Sequence, residues 1–495
     1  MTQPLSRYEF AYIDFSNPKS LLSYAKKLEG HTFREVLDLG ITPEGLLEEK
    51  SSYNEVAFKG GVGTLIEERY FGYKANSDAR ADFTDAGVEL KTTCYDTRVD
   101  GSVRAGERLV LGMIAYDESI EAELEDSHMW EKGGNVLLIY YGRDKAIDKY
   151  DQRIDYVVLF TPPEEDMAVI REDYEIIQHY ITEGRADELS ESLTNYLGAC
   201  TKGTTAAKSM RDQKVYAPGK PARGRAWCYK NSYMNAVLHD YVIGDSGGEA
   251  IIKDPGQLKE RTFDEYVISL VEPYIGMTDA EIAERLGLDA NPKNKSFWRM
   301  IAYRLLGLNG EHAEEFEKAN IKARTVRIET NGSVKESFPL SPFKFADLAA
   351  EDEWEESELY GYFDVTRYFF TVFEASEDAY RLKGARFWSM PTKDIDGPLR
   401  DCWQAVRDRV RDGITFTKKV NKSGKEIIYN DLPGIADNSV AHVRPHTSKS
   451  AYKLSDGTEF GDLEKNADEL PDGQWMTKQS FWLNSKYVYE IVKLV

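Results

Sequence analysis

The sequence predicts an α/β chain, in the α+β sense of a mixed sheet flanked by helices, built twice in tandem. The first observation is alternation. Stretches with a two-residue apolar period alternate with stretches of helical period, the pattern of a sheet packed by helices. The second is recurrence. Arg171-Glu-Asp-Tyr174 followed by Gly184 returns as Arg400-Asp-Cys-Trp403 followed by Gly413, with the same internal spacing of 13. Trp227-x-x-Lys230-x-Ser232-Tyr233 returns as Trp475-x-x-Lys478-x-Ser480-Phe481, in the same order along the chain. The third is length: 495 residues are many for one core and comfortable for two domains. The glycines, Pro255 and mixed charge of residues 244–262 read as a linker. The expected domains are therefore 1–243 and 263–495.

In order, residues 1–55 read as helical, from the spacing in LLSYAKKLEG and FREVLDLG. Lys59-Gly-Gly-Val-Gly-Thr-Leu-Ile-Glu67 is a glycine-rich entry into an amphipathic helix. Strands are expected at Val88–Thr93 and around Leu109–Tyr116, Val136–Tyr141 and Tyr156–Thr161. Pro162-Pro163 ends the last of these, and a helix from Met167 to Thr182 stops at Gly184. A basic loop follows, then a strand and helix from Trp227 to Tyr241. Nothing resembles a signal peptide, and no run of eighteen apolar residues exists, so no membrane association is expected. Four scattered cysteines without a CxxC pair suit a reducing cytoplasm and argue against structural zinc.

The chemistry concentrates in Asp82-Phe-Thr-Asp-Ala-Gly-Val-Glu89-Leu-Lys91. On a strand, Glu89 and Lys91 emerge on the same face. Gly87 permits a bend that lets Asp82 return to the same spot. Two carboxylates suffice for Mg²⁺, which keeps several of its waters. A neighbouring lysine can orient or help deprotonate an attacking water and offset charge on a phosphate. That equipment suits phosphodiester hydrolysis. By itself, though, Glu-x-Lys on a strand is also what an exposed ion pair looks like.

The flanks add to this. KGGVGTLIE followed by DFTDAGVELK resembles the MutH/Sau3AI-type family of GATC-specific endonucleases, marked by Asp and then Glu-x-Lys. Glu107-Arg-Leu-Val-Leu, DYEIIQHYITEG, YLGACTKG, SYMNAVL, HVRPHT and WMTKQSFW extend the resemblance over nearly the whole chain. They point to the two-domain type II restriction enzymes rather than to single-domain MutH. Ala81 stands where the wider nuclease class often has proline. The resemblance implies a restriction-endonuclease-like (MutH-like) fold and Mg²⁺-dependent cleavage before the G of GATC, leaving 5′-phosphate ends. It makes Asp82 and Glu89 the metal ligands and Lys91 the group at the water and phosphate. Glu67 completes the set, either as an outer ligand or by holding Lys91. Also implied are a second GATC-binding site that stimulates cleavage at the first, transient self-association on DNA, and a cognate DNA methyltransferase in one restriction-modification system. A mismatch-repair enzyme nicking at GATC is the alternative, and a DNA-binding protein that does not cut is a third. No GxxxxGK[ST] supports an ATPase, and Pro162-Pro163 is followed by Glu164, which gives no methyltransferase signature.

A net charge of −22 opposes DNA binding unless the basic residues are gathered. Between Gly198 and Lys230, eight basic residues face one acid, Asp212. Lys59, Lys202, Arg223, Arg225, Tyr229 and Lys230 are the candidate DNA contacts. If the repeat holds, Val88-Glu89-Leu-Lys91-Thr falls opposite Val326-Arg327-Ile-Glu329-Thr, Asp82 opposite Asn320, and Glu67 opposite Ala302. Such a set would not bind Mg²⁺, and Arg327 and Glu329 would form a reversed ion pair. The second half is then a fold that has lost catalysis, and Arg444, His446, Lys449 and Lys478 are its candidate effector-DNA residues. Pro445 between His442 and His446 argues against a helical zinc pair.

Overall fold

The computed structural model describes residue 5 and residues 13–39, 61–73, 80–202, 209–245, 247–288, 295–377, 379–420, 424 and 426–493. The N-terminal helices form where the spacing places them. Asn17 caps Pro18–Ala25, and Thr32 with Glu35 makes a capping box for Phe33–Leu37. Gly61–Leu65 is α-helical and passes directly into a π turn, Ile66–Tyr70, which carries Glu67. Phenolic hydroxyls of Tyr24 and Tyr70 each donate to the other's backbone carbonyl, at 3.1 and 2.8 Å, and fasten the first helix to that turn.

The strands of the first half are β1 Glu89–Thr97, β2 Val103–Ala105, β3 Leu109–Met113, β4 Val136–Gly142, β5 Ile154–Phe160, β6 Leu197–Thr201, β7 Met210–Gln213, β8 Ala217–Arg223 and β9 Arg225–Tyr229. They make a mixed sheet in the order β2-β1-β4-β5, a second sheet β3-β9-β6 and a hairpin β7-β8. β1 and β4 are parallel, with Glu89 opposite Val136. β4 is buried on both faces. Leu137 and Ile139 pack with the N-terminal helices, Phe83, Val88 and Leu90, while Val136, Leu138 and Tyr140 face the long helix Glu164–Thr182. β1 is thus clamped to a strand buried on both faces.

In the second half come β10 Ile321–Ile328, β11 Phe338–Phe343, β12 Arg367–Ser376, β13 Ala379–Ser389, β14 Phe416–Val420, β15 Glu426–Asn430 and β16 Ala441–Pro445. β17 Tyr452–Lys453, β18 Glu459–Phe460, β19 Ala467–Glu469, β20 Trp475–Thr477 and β21 Gln479–Leu483 follow. Their sheets are β10-β12-β13, β11-β21-β16, β14-β15 and β18-β17-β20-β19. β10 lies parallel to β12 with Ile321 opposite Arg367, the first residue of β12, as Glu89 lies opposite the first residue of β4. β21 is central as β9 is. Leu109 and Leu197 both face Tyr229, and Phe338 and Ala441 both face Leu483. Ser127 and Ser357 cap corresponding short helices, each donating to a carbonyl three residues back at 2.6 Å.

Three sequence expectations need correction. First, the basic segment is not a loop: its described residues form β6, the β7-β8 hairpin and β9. Second, residues 244–262, read as a linker, pack against their surroundings. Ile251 is buried in one apolar cluster that runs from Ala105 to Phe387 and so joins both halves, and its N–H donates to Glu315 at 2.8 Å. Third, the expected ion pair between Arg327 and Glu329 does not form. Arg327 pairs with Glu336 at 2.5 Å and Glu329 with Lys335 at 3.3 Å, rather than with each other.

Polar contacts also cross between the halves. Arg225 and Asp364 are buried together at 3.0 Å, Lys318 reaches Asp166 at 2.9 Å, and Arg223 meets Glu355 and Asp396 at 2.9 and 3.0 Å. Removing one member of a buried pair strands the other charge and costs about 3–5 kcal/mol. Arg225→Ala is therefore expected to lower the thermal midpoint of the whole chain in one transition, with most of the loss recovered by Arg225→Met combined with Asp364→Leu. Scanning calorimetry of both variants checks this.

Candidate active site

The turn before β1 builds the site. Gly87 sits at φ +61°, and Phe83 and Val88 exchange backbone hydrogen bonds of 2.9 and 3.2 Å across a single 3-10 turn, Thr84–Ala86. That folds Asp82 back onto Glu89. The Asp82 N–H donates to Glu89 Oε2 at 3.2 Å, and the Leu90 N–H donates to Asp82 Oδ2 at 3.0 Å. Glu89 is 1% exposed. Lys91, two residues on and on the same face, donates to Glu89 Oε1 at 2.5 Å.

Sequence reasoning missed Lys132. It comes from the helix His128–Gly133, which Ser127 caps, and its ammonium lies 3.2 and 3.5 Å from the two oxygens of Glu89. The only local signal was that capping serine before a short helix, and nothing in the spacing tied it to a strand 43 residues earlier.

Electrostatics draw Glu67 into the same group. Burial, and then the charge of Asp82, push its pKa up to about 7; Lys91 opposes the shift and Glu89 adds to it. Burial and the charge of Glu89 likewise raise Asp82, against the Leu90 N–H, Lys91 and Lys132. Like-charged carboxylates held this close leave negative charge that a cation would relieve. Among the described residues no three His, Cys, Asp or Glu side chains gather into a ready-made cation cage. Two converging carboxylates are nonetheless enough for a hard divalent ion that retains water, so the donor set fits one.

The structure brings together Glu67, Asp82, Glu89 and Lys91. It does not bring the expected DNA residues to one open surface. Lys202 is exposed at the end of β6, and Lys59 lies outside the described residues. Arg225, Tyr229 and Lys230 are interior, each 1% exposed or less. Tyr229 donates its hydroxyl to the Gly133 carbonyl at 3.0 Å, Lys230 donates to the Thr194 carbonyl, and Arg225 is spent on Asp364. Arg223 is half-buried against Glu355, Asp396 and Tyr360. Of the basic segment, Arg223 and Arg225 face the seam between the halves, while Lys202, Arg211, Lys214 and Lys220 are exposed. In the second half Arg444, His446 and Lys449 are exposed. Arg444 stacks over Trp482 at 4.0 Å, His446 shares a 2.6 Å hydrogen bond with Ser480, and Lys478 donates to the Lys465 carbonyl at 2.8 Å.

Residues 71–173 match the family model described as the DNA mismatch repair enzyme MutH, a span holding Asp82, Glu89, Lys91 and Lys132. MutH of Shigella boydii serotype 18 is 29% identical over 232 residues, 93% of its length and 46% of this chain. MutH of Escherichia coli strain SMS-3-5 is 28% identical over the same shares. The fold and the converging carboxylates and lysines therefore define a MutH-like, site-specific deoxyribonuclease. Single-domain relatives leave half of the chain unmatched, and a larger one fills it: type II restriction enzyme Sau3AI of Staphylococcus aureus is 35% identical over 459 residues, 88% of this chain and 92% of that enzyme. The chain belongs to the Sau3AI-type family of restriction endonucleases. Among the described residues no helix is long and apolar enough to cross a membrane.

Two outcomes are expected. Lys91→Ala lowers the DNA cleavage rate at least hundredfold, the scale of a general acid–base group, and Lys132→Ala lowers it less; single-turnover assays at matched folding measure both. For Glu67, a raised folded-state pKa means that the folded chain binds more protons than the unfolded one between about pH 4.5 and 7. Its contribution is thus lost as pH rises through that window. Glu67→Gln should raise the thermal midpoint of the metal-free protein at pH 8 and leave it unchanged at pH 4.

Proposed function

We propose that the chain is a Mg²⁺-dependent type II restriction endonuclease that cuts double-stranded DNA before the G of GATC, leaving 5′-phosphate and 3′-hydroxyl ends. The observation that carries this reading is the meeting of Asp82, Glu89 and Lys91 over one turn, inside a chain akin to Sau3AI along nearly its full length. Asp82 and Glu89 would hold the ion. When bound, it supplies Lewis-acid polarisation of the scissile phosphate and a water of lowered pKa. Lys91, kept on the reacting side by its hydrogen bond to Glu89, orients or deprotonates the attacking water and offsets charge on the phosphate. Lys132 also holds Glu89, at the same Oε1 that Lys91 meets. Glu67 sits where it can take up or release a proton near neutral pH. Lys59 and Lys202 are retained as DNA contacts.

The second half is read as a copy of the same fold without the catalysis, spanning 263–495 and serving as an effector site for a second GATC. Matching strand orders and ladder positions support the copy, and Ile321 and Ala323 at the positions of Glu89 and Lys91 support the loss. Exposed Arg444, His446 and Lys449 support contact with DNA. Self-association on DNA, a cognate methyltransferase and a cytoplasmic setting complete the proposal. A mismatch-repair nicking enzyme is disfavoured by the extra half, which MutH proteins do not span.

End-sequencing of plasmid fragments made with Mg²⁺ tests it. The expected result is linear product whose 5′ ends all begin at GATC, formed without added repair proteins. Random ends would remove the specificity, and nicked circles as the sole product would favour the repair reading.

A further inference from the structure

One polar atom in the site has no role in the chemistry above: the hydroxyl of Tyr73. It is buried and has no hydrogen-bond partner among the described residues. A buried hydroxyl left without a partner is destabilising, and phenylalanine would fill the same space without that cost. Tyr73 is also held firmly. Gly72, at φ +75°, turns the chain at the end of the π turn, and the Tyr73 N–H donates to the Glu67 carbonyl at 3.2 Å. Its ring meets Phe83 edge-on, with centroids 5.6 Å apart at 81°. Phe83 adjoins Asp82 and makes the backbone bridge to Val88. The ring is therefore wedged between the segment carrying Glu67 and the turn carrying Asp82.

After burial, the charges that act on this hydroxyl are Asp82, Glu67 and Glu89, in that order; all of them push its pKa up, so it stays a neutral O–H donor. The Leu90 N–H already holds one side of the Asp82 carboxylate. The hydroxyl already acts on that carboxylate as a donor, but without the geometry of a formed hydrogen bond, which is what a site looks like before its hydrogen bonds tighten around a bound group.

We propose that Tyr73 is a positioning residue for the cation site: on uptake of the divalent ion its hydroxyl donates to the Asp82 carboxylate and fixes the angle at which that carboxylate meets the ion. Partners of this kind around metal ligands are worth about 10- to 100-fold in metal affinity. The inference rests on Asp82 and Glu89 being the ligands, and the test separates the two claims.

Mn²⁺ binding to the full-length, metal-free protein is measured by electron paramagnetic resonance for the parent, Tyr73→Phe and Asp82→Asn. Tyr73→Phe is expected to bind Mn²⁺ about 10- to 100-fold more weakly, to raise the half-saturating Mg²⁺ concentration for cleavage by a similar factor, and to keep or raise the thermal midpoint without metal. Unchanged Mn²⁺ affinity in Tyr73→Phe overturns the proposal. So does a lowered midpoint, which would mark the hydroxyl as structural, and so does a cleavage loss that excess Mg²⁺ fails to restore, which would place it on the substrate. If Asp82→Asn binds Mn²⁺ as the parent does, the ligand assignment itself falls. If Asp82→Asn is weakened and Tyr73→Phe is not, only the role of Tyr73 falls.

Discussion

Everything chemical in this chain depends on one reciprocal pair of backbone hydrogen bonds, between Phe83 and Val88. They close a turn that only a left-handed residue at position 87 permits without strain, and Gly87 supplies it. With the turn shut, Asp82 and Glu89 stop being two acids seven residues apart and become one site. Each is then held by a backbone N–H from the other's neighbourhood, at 3.2 and 3.0 Å. Burial, and then the repulsion among these carboxylates, raises the pKa of Asp82 and Glu67. Lys91 and Lys132 offset part of that repulsion, both at Glu89 Oε1. The remainder is what gives the site its appetite for a cation.

The second constraint is the seam between the halves. A nuclease domain able to stand alone has no need to send an arginine from its own β9 into another domain's carboxylate, yet Arg225 does so with both groups buried. A single apolar cluster crosses the same boundary, through Ile251 and Phe263 to Phe369 and Phe387. The two halves therefore share stability, and strands β8 and β9 belong structurally to both.

The convergence of Asp82, Glu89 and Lys91 was legible because it is local. A glycine bend, a period-two strand and an acid seven residues upstream are contained within ten residues, and backbone geometry alone decides what they do. Lys132 was not legible because it arrives on a separate helix, where nothing in its own neighbourhood marks its destination. Arg223 and Arg225 were misread as DNA contacts for a different reason. Basic density was taken as a solvent-facing surface, but the acids that neutralise Arg223 and Arg225, namely Glu355, Asp364 and Asp396, lie far along the chain and could not be paired from sequence. With Ile321 taken as the counterpart of Glu89 under the proposed duplication, the register read from sequence differs by six residues on β10, an even number. An even slip keeps every side chain on its own face of the sheet, so the apolar pattern could not expose the error.

The π turn at Ile66–Tyr70 carries a consequence of its own. Such a turn is an α-helix that has accommodated one surplus residue. Take that residue away and the helix would rewind, turning whatever follows by about 100° and drawing it back by about 1.5 Å. The segment from Gly61 to Tyr73 is therefore constrained in its length as much as in its composition: Glu67 and Tyr73 reach the same point only because the winding between them is one residue loose.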